Sequence, residues 1–217
     1  MNRACLLAVA AVAGLMTAVA CDANVGQTTG SGNVKTETRT VSGFDSVDVN
    51  GAGTLNITQS GTESLTVTAD DNILPMIHSD VSGGTLSLGP QSVTLLNSTQ
   101  LTYTLTVRSL KQISAHGATS VSASGLNTSS LSVTMDGAPK AQLSGQAQSQ
   151  DIHISGTGQY DASGLSSRTA NVQIDGVGNA VLAVSDSLSA DVSPAGKVEY
   201  IGSPSVKHSG MGSVSRR

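Results

Sequence analysis

The stretch Leu131-Ser132-Val133-Thr134-Met135-Asp136-Gly137-Ala138 has two near-copies downstream: Ile152-His153-Ile154-Ser155-Gly156-Thr157-Gly158 and Val172-Gln173-Ile174-Asp175-Gly176-Val177-Gly178. In each, apolar residues stand at alternate positions, then comes Asp or Ser, then Gly. The frame extends back to His116-Gly117-Ala118, so Gly117, Gly137, Gly156 and Gly176 follow one another at 20, 19 and 20 residues. Related turns recur at Pro194-Ala195-Gly196 and Ser209-Gly210-Met211-Gly212. A second short apolar-polar run lies within each repeat: Val121 to Gly125, Ala141 to Gly145, Tyr160 to Gly164 and Val181 to Asp186. Alternation with period two marks half-buried strands, and a fixed period near 20 marks a repeat architecture. The unit contains two or three short strands, tight corners and no helix. It predicts an all-β chain folded as a right-handed parallel β-helix (a β-solenoid), with about 18–20 residues per coil in the second half. Coil n then pairs in parallel with coil n+1 at ~4.8 Å. Short strands also suit an antiparallel sandwich or barrel, but the recurring Gly frame favours the solenoid.

Outward from this region the pattern loosens. Residues 41–115 still alternate, at Val47, Val49, Leu55, Ile57, Leu65, Val67, Leu86, Leu88, Leu101, Tyr103, Leu105 and Val107. They are expected to form less regular opening coils of one solenoid domain spanning 41–217. Asp71 to Ile77 resembles a single helical turn, limited by Pro75. Residues 21–40, with Gly26-Gln27-Thr28-Thr29-Gly30-Ser31-Gly32-Asn33, lack periodicity and predict a flexible tether. Residues 1–20 carry one charge, Arg3, and the apolar run Leu6 to Met16. This is the layout of an export signal, too short to span a membrane. Thr17-Ala18-Val19-Ala20-Cys21 resembles a bacterial lipobox. Of the two cysteines, Cys5 would leave with the signal. A lone Cys21 in an oxidising compartment is odd unless it carries lipid. Cys21 is therefore the expected lipidation site, and the membrane a partner through that anchor. Asp22 follows it, which in Gram-negative sorting favours the inner membrane. Ordinary cleavage after Ala20 is the alternative.

Composition narrows the function. The chain of 217 residues has a net charge of −4, 12% charged residues and 2% aromatics, with 24 Gly, 33 Ser and 22 Thr. Net negative charge without a basic cluster excludes a nucleic-acid partner, because phosphate contacts need Lys and Arg. Phe44, Tyr103, Tyr160 and Tyr200 are too few for stacking platforms. Abundant β-branched residues argue against disorder.

The stretch Arg39 to Thr58, with Gly43-Phe44, Val47-Asp48-Val49 and Gly51-Ala52-Gly53, resembles the opening of a bacterial family, the putative auto-transporter adhesin, head GIN domain family. Leu65 to Leu74 and Gly83-Gly84-Thr85-Leu86-Ser87-Leu88 extend the likeness over about residues 35–215. The resemblance implies an exported, often lipid-anchored β-helical domain of uncharacterised function, and it brings no catalytic residues.

Candidate chemistry is sparse. Asp136 and Asp175 share a frame two coils apart, on the order of 10 Å, close to the separation of inverting glycosidase carboxylates. The same column reads Asn50, His116, Asp136, Ser155, Asp175 and Ser209, however, the residues a tight turn favours. The four histidines lack metal-site spacing, and the Gly-Gly-x-Gly-x-Asp repeat of calcium β-rolls is absent. No Gly-x-Ser-x-Gly elbow occurs. No enzyme activity, metal or cofactor is expected. The expected protein is a non-enzymatic, lipid-anchored envelope adhesin or scaffold. Its Ser/Thr-rich face would meet a polysaccharide or an envelope protein, and Arg216-Arg217 would blunt the last strand edge or meet an acidic partner. The rival readings are a structural or signalling partner and a carbohydrate-active enzyme.

Overall fold

The computed structural model describes residues 27–90, 94–96 and 100–217. The expected signal, Cys21 and Asp22 lie outside the described residues. The strands in chain order are β1 (Gln27–Thr29), β2 (Val34–Arg39), β3 (Ser46–Val49), β4 (Ala52–Gln59), β5 (Ser64–Asp70), β6 (Ile77–Ser82), β7 (Thr85–Pro90), β8 (Thr94–Leu96) and β9 (Leu101–Val107). The long ribbons β10 (Gln112–Gly137), β11 (Lys140–Gly156), β12 (Gln159–Ile174) and β13 (Asn179–Val192) follow, then β14 (Lys197–Ile201), β15 (Ser205–Gly210) and β16 (Ser213–Arg216). A single 3-10 turn, Leu74–Met76, sits where the helical turn is expected.

The ribbons are coils. Each of β11 to β13 runs along one wall, turns a corner and returns along a second wall, and β10 does the same after a first segment, Gln112–Ala115, that lies beside β3; each pairs in parallel with the next coil. The result is a β-solenoid of about five turns. Val133 faces Ile152 and Ile152 faces Val172, steps of 19 and 20 residues that match the Gly period, and Val172 faces Ala190, a step of 18. β14 and β16 complete the first wall, and β15 completes the second. The repeated glycines form one corner column. The Gly137 carbonyl oxygen accepts from Thr157 N–H (2.7 Å), and the Gly156 carbonyl oxygen from Val177 N–H (2.7 Å). At Gly156 φ is +107° and an added Cβ would lie 2.3 Å from the Gly137 oxygen. At Gly117, Gly137 and Gly156 both the dihedral and the space exclude a side chain, and at Gly176 the space alone does, with an added Cβ 2.1 Å from the Gly156 oxygen.

The opening region departs from simple parallel coils. β5 pairs antiparallel with β2 and β9, and β6 pairs antiparallel with β7. Gly83 and Gly84, with φ of +57° and +81°, make the two-residue turn between β6 and β7, as a twist-matched hairpin requires. β3 and β4 lie beside the first coil in parallel, so the hairpins cap the stack and the solenoid starts from them. The expected tether is also shorter than 21–40. Val34–Arg39 is a strand, because its alternate residues fit the free edge of β5. The loop before it is pinned: Ser31 Oγ and Asn33 Nδ2 donate to the Asp71 carboxylate (2.6 and 2.7 Å), and Ser31 N–H to Asn72 Oδ1 (3.0 Å). Composition alone showed a polar Gly-rich run and hid these partners.

One continuous apolar core fills the space between the walls. Ile152, Ile154, Val172 and Ile174 are fully buried, each contributing roughly 1.5–3 kcal/mol. Tyr160 spans the interior, and its in-register neighbours are Ala141 and Ala180, whose small size leaves it room.

Candidate functional site

Inward residues make the core, so the residues between them form outward columns with one member per coil. On the second wall one column reads Ser130, Ser149, Thr169, Ser187 and Ser205. Its neighbour reads Ser132, Asp151, Asn171, Ser189 and Lys207. Parallel stacking spaces these groups at ~4.8 Å. Two open troughs lie along this surface. One, of about 460 Å³, crosses the corner over Asn127, Gln146, Ser166 and Ser185. The other, of about 560 Å³, follows the hydroxyl column from Ser130 to Ser205 and ends at Lys207.

A buried polar chain holds their common floor. Tyr160 O–H donates to Gln150 Oε1 (2.7 Å), Gln150 Nε2 donates to Ser167 Oγ (3.0 Å), and Ser167 O–H donates to the Ala183 carbonyl oxygen (2.8 Å). Gln150 lines one trough and Ser167 the other. The ridge between them carries the pair Arg168 Nε to Asp186 Oδ2 (2.9 Å). Hydrogen bonds from Ser185 and then Arg168 hold the Asp186 carboxyl below the usual carboxylate range. Burial pushes the Tyr160 phenol up, so it stays protonated as a donor.

Asp136 and Asp175 stand in the corner column that the spacing predicts, with Ser155 between them. Asp136 accepts from Ser155 Oγ (3.0 Å) and lies 3.8 Å from His116 Nδ1. His116 Nε2 is also 3.8 Å from Asp48 Oδ1. Asp175 accepts from Gln173 Nε2 (3.1 and 3.2 Å) and lies 3.6 Å from His153 Nε2. Both carboxylates are more than half exposed, and neither lines either trough. Each is engaged with turn and rung neighbours. Among the described residues, no three His, Cys, Asp or Glu side chains converge as a cation site, and no helix is long and apolar enough to cross a membrane.

Residues 43–204 match the family model described as "Putative auto-transporter adhesin, head GIN domain". The chain belongs to this family. Its fold is also similar to solved structures. A protein described as a putative adhesin from Bacteroides fragilis is 25% identical, with a TM-score of 0.68 over 88% of this chain and 100% of that one. A protein described as a putative lipid binding protein from Parabacteroides distasonis is 20% identical, with a TM-score of 0.55 over 88% and 100%. A putative adhesin from Parabacteroides merdae is 21% identical, with a TM-score of 0.52 over 89% and 100%. No curated protein matches the chain.

In this head GIN domain the trough residues Gln150, Ser167, Arg168 and Lys207 escaped the sequence reading. Gln150 did leave a signal: it occupies a position that is apolar in the coils on either side, Leu131 and Ala170. Arg168 left none, because corner residues follow no strict period.

Proposed function

We propose that this head GIN domain is a non-enzymatic, lipid-anchored envelope protein. It holds an extended, largely neutral polysaccharide along the trough of the second wall. The observation that carries the reading is the hydroxyl column Ser130, Ser149, Thr169, Ser187 and Ser205, repeated once per coil over a floor fixed by the Tyr160–Gln150–Ser167 chain. A ligand with its own regular repeat along the chain meets equivalent donors and acceptors rung after rung. One acid, Asp151, and one base, Lys207, line this trough, so the reading favours a mostly uncharged glycan. Exposed carboxylates tied to turn neighbours support a turn role for Asp136 and Asp175. The family description and the Bacteroides fragilis likeness support an adhesin-type role at the cell surface. The anchor would be lipid on Cys21.

Glycan-array binding by the mature chain tests this. Saturable binding to neutral glycans is expected, weakened at least tenfold by Ser149→Arg/Thr169→Arg, which fills the trough. Blank arrays, or binding indifferent to the double substitution, would discard it. Metabolic labelling with a palmitate analogue is expected to mark the wild type and leave Cys21→Ser unlabelled.

A further inference from the structure

Asn50 and Gly51 make the short joint between β3 and β4. Both strands pair in parallel with β10, so Val49 faces Ala115 and Ala52 faces Ala118. Two residues of the joint thus stand opposite two of β10, His116 and Gly117, and the register leaves no room for extra backbone. One side of the joint is closely packed. The Gly51 carbonyl oxygen accepts from Ala118 N–H (2.8 Å) and from Thr119 Oγ1 (3.2 Å), and a Cβ added to Gly117 would clash with it. The other side is open, and Asn50 is exposed. Asn50 N–H donates to the Leu88 carbonyl oxygen (2.9 Å) and Asn50 Nδ2 to Asp48 Oδ1 (3.0 Å). The Gly51 N–H has no acceptor among the described residues.

An asparagine side chain and the nitrogen of the next residue can close a five-membered ring, and the side chain of that next residue is what hinders closure. Gly51 has none. Its φ of +98° favours glycine at this place, so the joint keeps its unhindered nitrogen. The other described asparagines, Asn33, Asn56, Asn72, Asn127, Asn171 and Asn179, are followed by Val, Ile, Ile, Thr, Val and Ala. A nitrogen held in a ladder must also give up its hydrogen bond before it reacts, and the Gly51 nitrogen has none to give up.

We propose that Asn50 is a modification site, deamidated in the folded chain without an enzyme and with water as the co-reactant. The Gly51 nitrogen gives up its proton and bonds to Asn50 Cγ. The Cγ–Nδ2 bond breaks, and that nitrogen leaves as ammonia with the proton. Water then opens the cyclic imide. Cleavage of its bond to Cγ gives aspartate at position 50. Cleavage of its bond to the main-chain carbonyl carbon gives isoaspartate, which threads the chain through Cγ and adds a methylene to the joint. Aspartate puts a second carboxylate beside Asp48, which accepts from Asn50 Nδ2 in the unmodified chain. Isoaspartate lengthens one side of the joint only, so β3 and β4 cannot both keep register with β10 without strain. This product loosens the capping hairpins from the first coil. Nothing in this chemistry depends on a glycan in the trough.

Peptide mass spectrometry with fragmentation, on the folded chain aged in mildly alkaline buffer, reads the reaction. The Asn50 peptide is expected to gain the mass of an acid exchanged for an amide, at least tenfold faster than the segments of Asn56, Asn127 and Asn171, and to split into two products of equal mass. Asn50→Gln, whose longer side chain would have to close a six-membered ring, is expected to stay intact. An Asn50 that keeps its mass, or changes no faster than the other three, overturns the inference, as does a change seen only when the chain is aged in urea. The isoaspartate-bearing chain, separated from the aspartate one, is expected to unfold at the lower temperature. Equal unfolding temperatures would overturn the part assigned to the joint.

Discussion

Tyr103 and Tyr160 are both buried, and their hydroxyls are in opposite situations. Tyr160 donates to Gln150, whereas the Tyr103 hydroxyl has no partner among the described residues. A hydroxyl deleted from a satisfied network leaves its acceptor stranded, at roughly 1–3 kcal/mol. A hydroxyl deleted where it was unpaired removes a desolvation cost. Tyr160→Phe is therefore expected to lose ~1–3 kcal/mol in urea unfolding, and Tyr103→Phe to be neutral or slightly stabilising. Equal losses in the two variants would mean that the Tyr160–Gln150 hydrogen bond contributes nothing beyond what an unpaired hydroxyl does. Adding Gln150→Leu to Tyr160→Phe removes both buried polar partners and should recover part of the loss, subject to Ser167 losing its donor.

The coil corner is the element that sets the repeat. Its glycine column brings carbonyl oxygens of one rung against the Cα of the next. Gly156→Ala must hold alanine at φ +107° against the Gly137 oxygen. The backbone strain alone is about 1–3 kcal/mol, and the clash adds to it. Thermal unfolding of Gly156→Ala is expected well below the wild type, whereas Gly32→Ala, also at positive φ but with open space around its Cβ position, should cost less. If both fall equally, dihedral strain outweighs rung contact. The hairpin at Gly83-Gly84 is the other element with a local signal: paired glycines between alternating strands indicate a tight turn from sequence. Its antiparallel partnership was still missed, because the downstream repeats pointed to parallel coils throughout.

Across the whole molecule, several carboxyls are held below their ordinary range. Lys111 acts first on Asp45, Ser31 on Asp71, Ser163 on Asp161, Ser185 on Asp186 and Lys197 on Glu199. A carboxyl with a lower value in the folded chain contributes stability above its unfolded value, about 4, and loses it as pH falls through the folded value. The unfolding temperature should thus vary little from these groups between pH 7 and 5 and fall below about pH 4. A transition temperature that rises on acidification there would contradict this. At this scale the division between sequence and structure is clear. Alternation at Val133, Ile152 and Val172 and the spacing of Gly117, Gly137, Gly156 and Gly176 determined the strands, the coil length and the parallel stack. These are local properties, since a strand needs period two and a corner needs glycine wherever the chain goes. Only the tertiary structure placed Gln150 against Tyr160, pinned Ser31 to Asp71, paired Val34–Arg39 with β5, and brought five hydroxyls from five coils into one trough. The first three contacts join residues whose separation along the chain follows no pattern, whereas the hydroxyls recur once per coil and only the way the walls face each other puts them in one trough.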